Sequence, residues 1–456
     1  MTKKVKQGLG TWDALALTVG SMVGAGIFAV LALTVKTAGP ASVISWILVV
    51  VISFPMALTF SDLTGVLAES GGPYIYLRRR IGVRGSLWVA WAFLWSAFGA
   101  TEALFIALIG MFGEMHVRGD FWLGVVVLAA LSFVTARGIH MGARVGRALT
   151  VGTVILLLFC IIVGFDHALT GSNLFLSKVL PSSQITGVTG ATSPTSPHPV
   201  RSWFSHGVWA IFPAAFLAFW TYSGWEAVAV PSASYTHPKA LGKGMLFGSI
   251  LVGVLYILVA FSSVLALPAE QLSHNVNPLV RIGDLVSPLG GQVVAWGGIL
   301  VVIGSLLSWL IATSALIQSL MRDGLLPGSQ HLRRYQGEYH PGIVWVLLVL
   351  FVLGAKLPIF TYMVAASSMT ALVAYAVVFA AVMVDREANW AGLLQTRRSR
   401  RMIAALALMM TLLLILFSGW KNIWPTLILM AMGGVVLAIQ DMRQELRRVS
   451  DKISHH

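Results

Sequence analysis

The residues best suited to chemistry sit in two short stretches. The first, GSMVGAGIF at 20–28, puts Gly20, Gly24, Ala25 and Gly26 inside an apolar run long enough to cross a membrane. The second, FWTYSGWEAVAV at 219–230, sets Ser223 and Gly224 between Trp220, Thr221 and Tyr222 on one side and Glu226 on the other. Glycine costs a helix interior about 1 kcal/mol relative to alanine. A spanning helix that breaks there exposes backbone N–H and C=O groups, which hydrocarbon cannot satisfy. A polar ligand can satisfy them: half-helix N-termini suit an anionic group such as a carboxylate, and open carbonyls suit an amine. The expected site is therefore largely backbone, with N–H groups at Gly24, Ala25 and Gly26 and carbonyls near Ile27 and Trp220–Ser223. Packing is the competing reading of the first stretch, because Gly20-xxx-Gly24 is a small-xxx-small motif. The matching break at Gly224 favours a site. Gly297-Gly298 and Gly433-Gly434 lack such polar neighbours and read as packing.

Few acids lie within the apolar runs, and each is costly there. Glu226 borders the second break. It reads as a gate or proton-responsive group, against the alternative of a carboxyl that hydrogen-bonds across helices. Glu102, in FGATEALF, has two open readings: a partner for a substrate's distal ammonium or a proton carrier, and a structural hydrogen bond. Asp13 and Asp62 lie near span ends and read as charges facing basic loops. Trp220 and Trp309 sit near mid-membrane, where interfacial tryptophan belts do not form. Their ring faces suit a substrate cation.

These residues need a membrane scaffold, and the composition supplies one. Of 456 residues, 57% are hydrophobic and 11% charged, less than half the charge of an average soluble chain. Windows of about 20 apolar residues give twelve spans: 11–36, 42–66, 86–112, 120–136, 147–166, 205–234, 244–267, 290–320, 341–356, 359–384, 401–418 and 421–441. With the N-terminus inside, 24 of the 31 Lys and Arg fall on the cytoplasmic side. Both termini, 1–10 and 442–456, are thus expected in the cytoplasm, and the net charge of +14 reports topology, not nucleic acid. The stretch 167–204, with PSSQITGVTGATSPTSPHP, reads as a flexible outer loop. Five helices is an odd number, so spans 1–5 (11–166) and 6–10 (205–385) form inverted repeats, each opening on an interrupted helix. Two further helices occupy 386–441. Cys160 is the single cysteine, so no intramolecular disulfide forms.

The sequence resembles the amino acid–polyamine–organocation superfamily in four ordered places. GSMVGAGIF is similar to its first-helix signature, ESGGPYIYLRRR (69–80) to its segment after the second helix, SYTHPKALGKG (234–244) to the segment after the sixth, and SLMRDGLLP (319–327) to the end of the eighth. The resemblance implies an all-α, LeuT-type fold of twelve transmembrane helices with broken helices 1 and 6, and alternating-access transport of amino acids or derived amines. Trp220 six residues before Glu226, and Trp309 in GSLLSWLIATSALIQSLMRDGLLP, look like the basic amino acid/polyamine antiporter branch. There the sixth-helix tryptophan stacks on substrate and the glutamate serves gating and pH response. ESGGPYIY looks more like other branches. A looser match in the tenth helix implies a substrate contact at Ser367 and a gating role for Tyr375. Proton-coupled relatives often carry a fifth-helix lysine, and 150–164 has none. Thr313 and Ser314 offer sodium ligands or bonds to their own helix. Ala25 stands where many relatives have serine.

A channel would need a charged ring or polar pore stripe, and an enzyme a cluster of nucleophile, base or metal ligands; the sequence has neither. No cofactor and no metal site are expected. The partners expected are a small amino acid or amine and membrane lipids of the inner membrane, with no nucleic acid. A homodimer and a transporter-like receptor are left open.

Overall fold

The computed structural model describes residues 9–24, 26–66, 72–136, 139–170, 203–229, 235, 237–275, 277–322, 341–355, 359–386 and 392–434, with some side chains, that of Glu226 included, outside the description. In chain order the helices are α1 (Thr11–Met22), a π-helical turn (Gly26–Val30) running into α2 (Leu31–Ala38), α3 (Ser42–Leu63), α4 (Pro73–Glu114), α5 (Asp120–Ala136), α6 (Ile139–Thr170), α7 (Ile211–Tyr222), α8 (Trp225–Ala229), α9 (Pro238–Ala266), α10 (Ala269–Ser273), α11 (Leu279–Asp284), α12 (Pro288–Arg322), α13 (Pro341–Gly354), α14 (Phe360–Val384), α15 (Arg397–Ser418) and α16 (420–434). Among the described residues the one extended pairing is a bridge from Leu9 to Tyr235.

Local rules explain these boundaries. Helices α4, α9, α12 and α13 begin at prolines, which suit a first turn because its N–H has no partner inside the helix. Gly82, at φ +77°, separates a short leading helix from the spanning part of α4. Thr396 caps α15 by accepting the Ser399 N–H at 3.1 Å.

Seven described helical runs are long and apolar enough to cross a membrane. Their outward faces carry Val51, Ile155, Leu300 and Leu412 exposed, an apolar surface that needs a bilayer around it. Between α6 and α12 this surface folds into an apolar groove, lined by Ile155, Leu156, Trp296 and Leu300.

Inside the bundle, small residues bring helices together. A Cβ built on Gly244 would lie 2.5 Å from the Ala14 Cβ, and one on Gly248 2.8 Å from that of Thr18, so α9 seats closely on α1. Gly297 packs on Leu156, and Gly433 and Gly434 pack on Trp91 and Trp88.

Candidate functional site

Both helices break where the small residues occur. Helix α1 ends at Met22, Val23 turns extended (φ −85°, ψ 98°), and helix resumes at Gly26. Helix α7 ends at Tyr222, Ser223 is extended, and α8 begins at Trp225. Between them Gly224 takes φ +134°, a backbone region open to glycine and strained for other residues.

The two breaks touch. The Ser21 hydroxyl lies 3.3 Å from the Gly224 carbonyl, and also donates to Thr18 O at 3.0 Å. Gly26 lies against Thr221, whose Cγ2 would be 2.5 Å from an added Cβ. Gly24 lies against Ser305 of α12 and Leu104 of α4, with built distances of 2.5 and 2.9 Å. Gly20 rests on Ser308 one turn along. The small-xxx-small motif therefore packs on α12 and also opens the break; the two readings of it coexist.

The carbonyls freed by the breaks meet neutral donors. The Trp309 indole Nε1–H donates to Ser21 O at 3.1 Å. The Tyr256 hydroxyl of α9 donates to Met22 O at 2.7 Å and lies 3.3 Å from Thr221 O, so it spans the two broken helices. Tyr256 is fully buried, edge-on to Trp46. Sequence reasoning missed it. Its signal was a lone tyrosine in the apolar run LVGVLYILVAF (251–261), since a buried phenol needs a hydrogen-bond partner.

Other expected site residues distribute as follows. Ile27 is buried in the π-helical turn. Trp220, 7% exposed, meets Phe360 of α14 edge-on at 6.2 Å. Thr221 and Ser223 turn their hydroxyls to Ala218 O and Trp220 O of their own helix. Tyr222 points away from Gly26 and donates to Ser249 O of α9 at 2.8 Å. Tyr375 is buried among Phe60, Phe93, Phe219, Trp225 and Phe379, with ring centroids 4.7 to 6.2 Å away. Ala25 and the Glu226 side chain lie outside the described residues.

Two expected contacts are not gathered at the breaks. Ser367 donates to Ser96 O at 2.8 Å and joins α14 to α4. Glu102 lies two residues from Leu104, about 200° around the helix, and its carboxyl rests on Gly354 of α13. Leu104, not Glu102, is the α4 side chain that meets Gly24. Thr313, weighed as a sodium ligand, donates to Trp309 O at 2.8 Å within its own helix.

Charges appear beyond the breaks. Arg147 pairs with Asp13 at 3.1 Å, and Asp62 accepts the Leu394 N–H at 2.6 Å. Asp385 receives Arg80 at 3.0 Å and the Tyr76 hydroxyl at 2.8 Å. Burial first, and Asp385 second, push the Tyr76 pKa above its ordinary value.

Comparison with known proteins agrees with this arrangement. A family model described as amino acid permease matches residues 9–439. The branched-chain amino acid permease BcaP of Bacillus subtilis is 23% identical over 469 residues, covering 95% of this chain and 93% of the relative. An arginine/ornithine antiporter of Pseudomonas aeruginosa is 26% identical over 353 residues, covering 75% and 69%. The crystal structure of MhsT in complex with L-phenylalanine superposes with a TM-score of 0.61 at 15% identity, covering 91% of this chain and 99% of that one. This chain belongs to the amino acid permease family: it is a multi-pass secondary transporter with the LeuT-type five-plus-five fold of the amino acid–polyamine–organocation superfamily.

Proposed function

We propose that the substrate is an α-amino acid with an apolar, uncharged side chain, bound at the meeting point of the two breaks. The observation that carries this reading is the chemistry of the surroundings. Gly24, Gly26, Thr221, Gly224, Trp309, Ser305 and Tyr256 bring backbone, hydroxyls and rings, and none of them brings a charge. The carboxylate meets N–H groups at Gly24–Gly26, where the π-helical turn begins. The ammonium meets carbonyls near Ile27 and Trp220–Ser223. Met22 O and Thr221 O already face Tyr256, which narrows the carbonyls left to it. Trp220 and Trp309 line the pocket, and rocking of one helical bundle against the other carries substrate across the inner membrane.

The charge asymmetry of the loops supports both termini on the cytoplasmic side. Glu226 on α8 serves as the gate or pH-responsive group. Counterflow of labelled L-leucine in proteoliposomes, competed by a panel, tests the substrate class. Isoleucine, valine and phenylalanine should compete, and arginine, ornithine and agmatine should not. Competition by arginine stronger than by isoleucine would refute the class and favour Glu226 as partner of a cationic side chain. Glu226→Gln should flatten the pH response of exchange; an unchanged response removes its role.

A further inference from the structure

Glu102 is a buried acid that the substrate site leaves unused. The residue is 1% exposed, and neither carboxyl oxygen has a hydrogen-bond partner among the described residues. It sits within the spanning part of α4 (Gly85–Glu114). It faces Gly354 at the end of α13, where an added Cβ would lie 2.6 Å from Oε1 and 2.9 Å from Cδ. Glycine alone leaves room for the carboxyl. One turn back along both helices, Phe98 and Phe351 close the α4–α13 seam with ring centroids 5.0 Å apart. Helices α5, α8, α12, α13 and α14 pack on α4. Helix α8 carries Glu226, whose side chain lies outside the described residues. The described titratable groups on the others, Asp120, Arg322, Tyr362 and Tyr375, are not among the groups that act on Glu102. Lys356, between α13 and α14 in sequence, lies outside the described residues.

An unpaired carboxylate in such a place is strongly disfavoured, and acids inside a membrane mark proton or ion pathways by default. We propose that Glu102 is a proton-binding site separate from the substrate site, and that it couples transport to a pH gradient. In the conformation described here the carboxyl holds its proton in the dry seam against Gly354. Opening of the α4–α13 contact admits water, and the carboxylic acid gives its proton to that water as H3O+. The carboxylate must regain a proton before the seam can close. One proton thus crosses per cycle if the seam opens to opposite sides in the two states. The aromatic pair Phe98–Phe351 shuts one approach; the other lies past Gly354, at the C-terminal end of α13.

This inference rests on the transporter reading but not on the substrate class, and two assays separate them. Counterflow of labelled amino acid without any ion gradient reports the substrate site. Accumulation driven by an imposed pH gradient reports Glu102. Wild-type protein should concentrate substrate several-fold under the gradient. Glu102→Gln should keep counterflow within about twofold of wild type, since no net protonation cycle is needed, while accumulation falls to simple equilibration. Accumulation surviving in Glu102→Gln overturns the proposal, as does a wild type indifferent to the gradient. If Glu102→Gln loses counterflow too, Gly354→Ala decides. Its methyl group displaces the carboxyl without removing it, so the pH for half-maximal gradient-driven uptake should move; an unmoved profile overturns the proposal.

Discussion

The two helix breaks and the rim of ion pairs solve one problem, holding helices together, by opposite means. At the breaks, carbonyls are met by neutral donors: Trp309 on Ser21, and Tyr256 on Met22. At the rim, full charges do the joining: Arg147 with Asp13, and Arg80 with Asp385. Depth decides between them. A charge far from water carries a desolvation cost of several kcal/mol. At the rim each arginine keeps contact with water, at 50% exposure for Arg147 and 31% for Arg80, while its carboxylate partner is largely covered, and such pairs are screened by salt. Among the described side chains, then, full charges stand at the rim and neutral donors at the breaks, which on the proposed reading leaves backbone dipoles there for the ligand.

The contrast breaks most readily at Gly26. Gly26→Ala places a methyl group 2.5 Å from Thr221 Cγ2, and overpacking of about 1–3 kcal/mol should lower initial uptake in proteoliposomes by about 100-fold. Uptake within a factor of about two of wild type would show that the breaks do not need this close approach. Tyr256→Phe removes a hydroxyl shared by both breaks and leaves a buried carbonyl unmet. At about 1–3 kcal/mol, counterflow affinity should weaken about tenfold or more, with normal expression and gel-filtration behaviour. Trp309→Phe keeps an aromatic ring but deletes the donor to Ser21 O, and should weaken affinity about fivefold, the size of one net hydrogen bond. The rim should matter least. Arg147 is half exposed, so Arg147→Gln should change uptake by less than about threefold, and high salt should erase the difference. An Arg147→Gln effect as large as that of Tyr256→Phe would dissolve the comparison, and a double-mutant cycle with Asp13→Asn would show whether the pair itself is responsible.

Much of this arrangement is legible in the chain. The apolar runs and loop charges yield membrane embedding, and GSMVGAGIF with TYSG marks both breaks to the residue. Glycine's backbone freedom is a local property, so its consequence can be read locally. Tyr375 illustrates the limit. Its type suggests a gate, but its five aromatic neighbours come from α3, α4, α7, α8 and α14 and cannot be read from one helix. Ser367 shows the same limit, since the partner its hydroxyl finds, Ser96 O of α4, lies 271 residues away in sequence.

The sequence by itself determined the class of molecule and the interrupted helices, because hydrophobicity, charge and glycine act over a few residues. Only the tertiary structure decided which way each helix turns its side chains. Leu104 and Glu102 are two positions apart, yet one meets Gly24 and the other Gly354. With 100° between successive residues, helix rotation assigns neighbours in sequence to different partners, and that rotation is set by packing against helices hundreds of residues away.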